Sequence, residues 1–146
     1  MFRGRYEHTI DPKGRLSIPS RYREELTSRR VSTLVLSEGD HSVWAFPLDA
    51  WEQFEQRLRQ HAPLSPERRN VVRVMVASAK ECPVDRAGRT LVPPELRDFA
   101  ALKREVVITG ALEWFEIWSR ERWIDHRQTL RGGFDDMTRK LSEHGI

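Results

Sequence analysis

The sequence contains one cysteine, Cys82, in 146 residues. A lone cysteine permits no internal disulfide and no thiolate metal cluster within the chain, and it predicts a reducing cytoplasm as the setting. Long hydrophobic runs are missing too. The longest, around residues 71–77, is broken by Arg73 and falls far short of the ~20 apolar residues that cross a bilayer. The opening Met1-Phe2-Arg3-Gly4-Arg5 has no apolar stretch behind it, which predicts no signal peptide and no membrane partner. There is no phosphate-loop or dinucleotide glycine pattern. Five histidines (His8, His41, His61, His126, His144) are scattered without metal-ligand spacing, and His8 near Asp11 lacks the nucleophile that a triad needs. Asp135 and Asp136 are adjacent, and neighbours on a helix point apart. Hence no catalytic residues, metal site or small-molecule substrate is expected.

Charge is abundant and unevenly placed. Residues 1–30 hold eight basic side chains (Arg3, Arg5, Lys13, Arg15, Arg21, Arg23, Arg29, Arg30) against four acidic ones, while the rest of the chain is negative by one. A basic segment of this kind either attracts a polyanion, by neutralising phosphates and releasing counterions, or forms a solvated, salt-bridged face.

An internal repeat organises the chain. His8-Thr9-Ile10-Asp11-Pro12-Lys13-Gly14-Arg15-Leu16-Ser17-Ile18-Pro19 reappears as Cys82-Pro83-Val84-Asp85-Arg86-Ala87-Gly88-Arg89-Thr90-Leu91-Val92-Pro93. The shared skeleton is Asp-x-x-Gly-Arg, two residues, an aliphatic and a proline. Further on the match loosens: Leu34-Val35-Leu36 faces Val106-Val107-Ile108, Gly39 faces Gly110, Trp44-Ala45-Phe46 faces Phe115-Glu116-Ile117, and Trp51 faces Trp123. Four segments follow: a first repeat over 1–62, a linker helix over 63–76, a second repeat over 77–130, and a flexible tail over 131–146.

Local chemistry predicts the elements. Residues 6–11 read as a strand running into a type I turn, in which Asp11 accepts backbone N–H bonds, Pro12 presets φ and Gly14 closes the turn. Residues 15–18 return as a strand and Pro19 stops it. Ser20 suits the cap of a short helix to about Leu26. Residues 33–37 and 42–46 read as a hairpin, and Asp49 with Glu52 resembles a capping box for a helix turning Trp51, Phe54 and Leu58 inward. The second copy repeats the plan, with strands at 82–85, 89–92, 106–109 and 114–118 and helices at 94–99 and about 120–130. Ser65-Pro66 suits a helix start. The β-branched Val71, Val72, Val74 and Val76 leave a strand open as the alternative. The tryptophans sit beside aliphatics in both copies and read as core and interface, with Trp114 the one expected to be exposed; stacking on single-stranded bases is their other use.

A half-motif of short strands and one helix cannot close its own edges. Two in tandem predict a mainly β, α+β fold that interleaves hairpins into one closed pseudo-dimeric barrel. That arrangement puts Arg15 and Arg89 at equivalent turn ends. A guanidinium there is partly pinned, and its planar fork suits phosphate or a guanine edge. Asp11 and Asp85 hold the turns and orient those arginines, and Gly14 and Gly88 remove bulk where a nucleic-acid backbone would approach. Arg3, Arg5, Lys13, Arg21 and Arg23 add positive charge around the first turn, and Arg86 adds it near the second. The other reading of each Asp-x-x-x-Arg is a self-satisfied turn.

The tandem turns, the opening Phe2-Arg3-Gly4-Arg5-Tyr6, and the blocks Gly-Arg-Leu-Ser-Ile-Pro and Gly-Arg-Thr-Leu-Val-Pro-Pro resemble the MraZ family, which is related to AbrB-like swapped-hairpin DNA-binding proteins. The likeness extends to about Leu130. It implies AbrB-like repeats and a sequence-specific regulator that binds double-stranded DNA at short direct repeats upstream of its own operon, the division and cell-wall cluster. It also implies ring-shaped homo-oligomers, a cytoplasmic, nucleoid-associated location and no cofactor, with Asp11, Arg15, Asp85 and Arg89 as the motif residues. Thr90 stands where the family's second copy usually carries an aliphatic. The competing implication is an oligomeric, antitoxin-like scaffold that binds protein rather than DNA directly.

Overall fold

Asp11-Pro12-Lys13-Gly14 and Asp85-Arg86-Ala87-Gly88 both close as tight turns. Gly14 N–H donates to the Asp11 carbonyl at 2.9 Å and Gly88 N–H to the Asp85 carbonyl at 2.9 Å. The glycines lie at φ +87° and +77°, in the left-handed region that a β-carbon disfavours. Around these turns the computed structural model, which describes residues 1–146, builds two copies of one plan. The first copy runs β1 (Arg5–Thr9), β2 (Arg15–Ser17), α1 (Ser20–Ser28), β3 (Thr33–Glu38), β4 (Val43–Pro47) and α2 (Leu48–Gln60). The second runs β5 (Lys80–Pro83), β6 (Arg89–Leu91), α4 (Pro94–Phe99), β7 (Glu105–Gly110), β8 (Phe115–Ser119) and α5 (Arg120–Gly132). Between them lies α3 (Pro66–Val71), continued by a π-helical turn, Val72–Val76.

The two copies trade strands. β1 pairs antiparallel with β7 of the second copy, and β5 pairs antiparallel with β3 of the first. The resulting six-stranded sheet has the order β1-β7-β8-β4-β3-β5. β2 and β6 pair with each other as a separate ribbon, Arg15 opposite Leu91, Leu16 opposite Thr90, and Ser17 opposite Arg89. A pseudo-twofold axis accounts for both pairings. It passes between Leu16 and Thr90 in the ribbon and between Trp44 and Glu116 at the β4–β8 junction, so each copy's partners map onto the other's. The expected closed barrel is not formed. β2 and β6 are three residues long and use their ladder bonds on one another, which leaves β1 and β5 as free edges of the larger sheet.

The strand bounds also correct the alignment of the copies. β4 and β8 share one burial pattern and start 72 positions apart, so Trp44 matches Glu116 and Phe46 matches Trp118. Matching Trp44 to Phe115 and Gly39 to Gly110 is one residue out of register, and a one-residue slip turns every side chain to the other face of a sheet.

One face of the sheet packs on the ribbon, α1 and α4. Eighteen buried residues meet there, among them Phe2, Leu16, Ile18, Tyr22, Leu36 and Phe115. Thr90 fills its interior place 1% exposed, its hydroxyl donating to the Pro83 carbonyl at 3.2 Å. On the other face α2, through Ala50 and Trp51, and the π-helical turn cover Val35 and Phe46. Trp114, expected in solvent, is half-buried there. Its ring stacks on Phe46 at 5.4 Å and lies 4.9 Å from Trp44. Burial pushes the Cys82 thiol up to about 11, so it stays protonated at neutral pH.

Helix ends follow the sequence only in part. Ser65 accepts from Arg68 N–H at 3.1 Å with Pro66 at the first helical position, so the linker is helical and not a strand. Pro19, not Ser20, caps α1, and Pro47 precedes α2. Asp49 therefore lies inside the first turn of α2, where Arg29 takes its carboxylate at 2.8 Å and no capping box forms. Beyond α5, within the segment expected to be a flexible tail, the chain forms α6 (Phe134–Ser142), with exposed Phe134, Met137 and Leu141 along one face. No helix is long and apolar enough to cross a membrane.

Candidate nucleic-acid interface

Alternation along β2 and β6 decides which residues face outward. Leu16 and Thr90 point into the core, so Arg15, Ser17, Arg89 and Leu91 share the opposite face, with Ser17 and Leu91 exposed and both arginines about a third exposed. Arg15 and Arg89 are diagonal neighbours across this ribbon, a relation that sets backbones ~7–8 Å apart. The two turns flank the ribbon at opposite ends and are locked to it by reciprocal bonds, Ile18 N–H to the Gly88 carbonyl and Val92 N–H to the Gly14 carbonyl, each at 2.9 Å.

Within the first turn Asp11 organises everything nearby. Its Oδ1 accepts from Lys13 N–H and Arg15 N–H, both at 2.9 Å, and its Oδ2 accepts from Arg15 Nε at 2.7 Å. The Arg15 guanidinium is thus held by one edge, and its two terminal nitrogens stay available. The second turn is looser. Arg89 N–H donates to Asp85 Oδ1 at 3.0 Å, but Arg89 Nε lies 3.4 Å from Oδ2 and makes no hydrogen bond although buried. Arg15 is therefore the better oriented of the pair.

The donated backbone bond from Arg15 holds the Asp11 carboxyl below its ordinary value of 3.8, and that from Arg89 does the same for Asp85. A carboxyl with a lowered native pKa stabilises the fold while ionised. The contribution is complete above the unfolded-state value and is lost as pH falls through the native one. The urea midpoint should therefore drop as pH is taken from ~5 to ~3. It should drop less in the Asp11→Asn, Asp85→Asn double variant, whose turns have no carboxylate to protonate.

The structure joins some of the sequence-derived candidates and separates others. Arg15, Lys13, Asp11 and Gly14 form the first turn, and Arg86, Arg89, Asp85 and Gly88 the second. Arg3 and Arg5 lie elsewhere, at the start of β1, a strand's length from the turn, with the Arg5 guanidinium 5.8 Å from the Trp123 ring centre. The two turn glycines are buried rather than open to a nucleic-acid backbone. A β-carbon on Gly14 would lie 3.0 Å from the Arg97 guanidinium, and one on Gly88 would lie 2.4 Å from Arg23 Cδ. Gly88→Ala should consequently cost ~1–2 kcal/mol in urea unfolding, from left-handed strain even if Arg23 swings aside.

Sequence reasoning misses Arg97 as a candidate, and it counts Arg23 with the first turn although that side chain lies at the second. A signal is present: Arg23 and Arg97 stand 74 positions apart, the same spacing as Arg15 and Arg89.

Comparison with known proteins finds the same two copies in this chain. The model of the family described as "MraZ protein, putative antitoxin-like" matches the chain twice, over residues 1–74 and 75–141. Over all 146 residues, with both chains fully covered, the sequence is 39% identical to the transcriptional regulator MraZ of Desulfitobacterium hafniense (strain Y51). It is 40% identical, again with both chains fully covered, to the transcriptional regulators MraZ of Moorella thermoacetica and Heliobacterium modesticaldum. One family model thus recurs on the two halves that the pseudo-twofold interchanges, and relatives match from end to end, so the chain belongs to the MraZ family.

Proposed function

We propose that this protein is a sequence-specific DNA-binding transcription regulator that acts on the promoter of its own operon, the division and cell-wall cluster, through short direct repeats. The observation that carries this reading is the outward face of the β2–β6 ribbon, where Arg15 and Arg89 present free guanidinium edges from turns built by Asp11 and Asp85. An arginine oriented by its own aspartate suits bidentate readout of guanine in the major groove, which admits a two-stranded ribbon. Lys13 and Arg86, exposed in the same turns, would neutralise phosphate.

One chain offers few contacts, so affinity comes from repetition. A homo-oligomer, as a ring, presents several ribbons to spaced repeats and raises the effective concentration of the second contact. The free edges β1 and β5 and the apolar stripe of α6 support such assembly. The setting is cytoplasmic and nucleoid-associated, and neither cofactor nor small-molecule substrate enters the reading.

The test is a fluorescence-anisotropy titration of a labelled duplex from upstream of this gene, against a scrambled duplex, at two salt concentrations. Tight, salt-sensitive binding that the scramble weakens is the expected result. Weak binding indifferent to sequence would overturn it in favour of an oligomeric protein-interaction module, the reading that the family's antitoxin-like description favours.

A further inference from the structure

We infer that Arg97 and Arg23 are a phosphate-binding pair, each supplied by one repeat to the turn of the other, so that every DNA-facing turn combines a base-reading arginine with a phosphate-holding one. The inference rests on the DNA-binding reading above.

Arg23 lies on α1 of the first copy and Arg97 on α4 of the second. The strand exchange brings each against the opposite turn, Arg97 beside Gly14 and Arg23 beside Gly88. Neither glycine tolerates a β-carbon without displacing that guanidinium, so each arginine is seated against backbone one residue before Arg15 or Arg89.

Arg15 and Arg89 each face an aspartate, which offsets charge at both and fixes the aim of Arg15. Arg97 and Arg23 have no carboxylate partner. Arg97 Nε donates to the Val92 carbonyl at 3.0 Å, which anchors the side chain and leaves both terminal nitrogens without an acceptor. Arg23 is exposed and its side chain makes no hydrogen bond, so Arg97 is the one of the two that is half-buried and held in place. A cation with uncompensated charge is suited to a phosphodiester. A neutralised, aimed one is suited to a base edge.

The surface beside the first turn adds further basic groups. A cleft of about 400 Å³ there is lined by Arg97, Lys103 and Arg104 together with Asp11 and Pro12. Asp11 is committed to Arg15. Lys103 meets only the exposed Glu121 at 3.8 Å, a pair that solvent weakens. The second turn lacks this surround. The carbonyl that receives Ile10 N–H belongs to Arg104, and the equivalent carbonyl receiving Val84 N–H belongs to Ser32. The phosphate grip is therefore stronger at the first turn.

The experiment compares Arg97→Gln, Arg97→Lys, Arg23→Gln and Arg15→Ala with the unmodified full chain. Each is titrated against the upstream and scrambled duplexes across a salt series, with thermal unfolding as a check on folding. Arg97→Gln should weaken both duplexes equally, by about five- to tenfold per contact at ~0.1 M salt, and lower the slope of log K against log salt by about 0.9 per site. Arg23→Gln should do the same with a smaller loss, and Arg97→Lys should restore the slope. Arg15→Ala should instead reduce the ratio of upstream to scrambled binding. An unchanged slope in Arg97→Gln, with Arg15→Ala still impaired, would overturn this inference and leave the DNA-binding reading standing. So would a loss confined to the upstream duplex, which would mean that Arg97 reads bases, or a lysine variant as impaired as the glutamine one. Absence of salt-sensitive duplex binding by the unmodified protein would overturn both.

Discussion

Arg15→Ala is expected to weaken binding to the upstream duplex by about 5- to 150-fold per engaged ribbon, the equivalent of ~1–3 kcal/mol for a lost bidentate base contact. The loss should fall on discrimination, so that upstream and scrambled duplexes converge. Asp11 sharpens this prediction. It fixes the Arg15 guanidinium through Nε at 2.7 Å and the turn backbone through Oδ1. Asp11→Asn keeps the shape and removes the charge that orients the arginine, and it should give an intermediate loss. Arg89→Ala should cost less than Arg15→Ala, because the second guanidinium is not hydrogen-bonded by its aspartate and is less preorganised. In an oligomer that engages several repeats together, the per-ribbon losses multiply, so the titration must be read on duplexes carrying one repeat and several. Equal losses for Arg15 and Arg89 would show that the tighter lock on Arg15 has no functional weight.

Turn chemistry makes much of this site legible from residue order alone. Asp-x-x-Gly-Arg carries its own geometry, since the aspartate, the left-handed glycine and the returning strand are all local consequences of residue type. The tandem copy then supplies the symmetry. What local chemistry cannot express is which copy a strand pairs with. β1 reads the same whether it joins its own repeat or the other, and only long-range register puts Arg5 opposite Thr109 and Thr33 opposite Pro83. The cross-placement of Arg97 and Arg23 follows from that exchange, which is why sequence order credits Arg23 to its neighbour along the chain and not its neighbour in space. Barrel closure fails as an expectation for a related reason. Three-residue strands end before they can bridge both edges, and strand length is the least certain quantity in a pattern that alternates over so few positions. The slip at Trp44 comes from aligning aromatics by type, when the burial pattern of β8 puts the acidic Glu116 at the matching place.

Phe2→Ala should produce the largest loss of stability from a single change, ~3–5 kcal/mol by urea unfolding, against a total of ~5–15 kcal/mol for a domain. The side chain is fully buried, with its ring 5.1 Å from Tyr22 and 5.4 Å from Phe115. The backbone is held as firmly. Phe2 and Leu112 exchange two N–H bonds at 2.8 and 3.0 Å, and Gly110 N–H donates to the Gly4 carbonyl at 2.9 Å. Gly110 permits this close passage, since a β-carbon there would lie 2.5 Å from the Phe2 carbonyl group. β1 is an edge strand whose only ladder partner is β7, so the Phe2 anchor is its second hold on the molecule. Truncating that anchor should raise hydrogen exchange at β1 and β7 amides more than at β4 and β8. Because β1 leads directly into Asp11, the same loosening should carry into the first turn and reduce upstream-duplex binding even where the variant remains folded. A destabilisation below ~1 kcal/mol would mean that the N-terminal segment is not part of the cooperative core, and the first turn would then owe its rigidity to the β2–β6 ribbon alone.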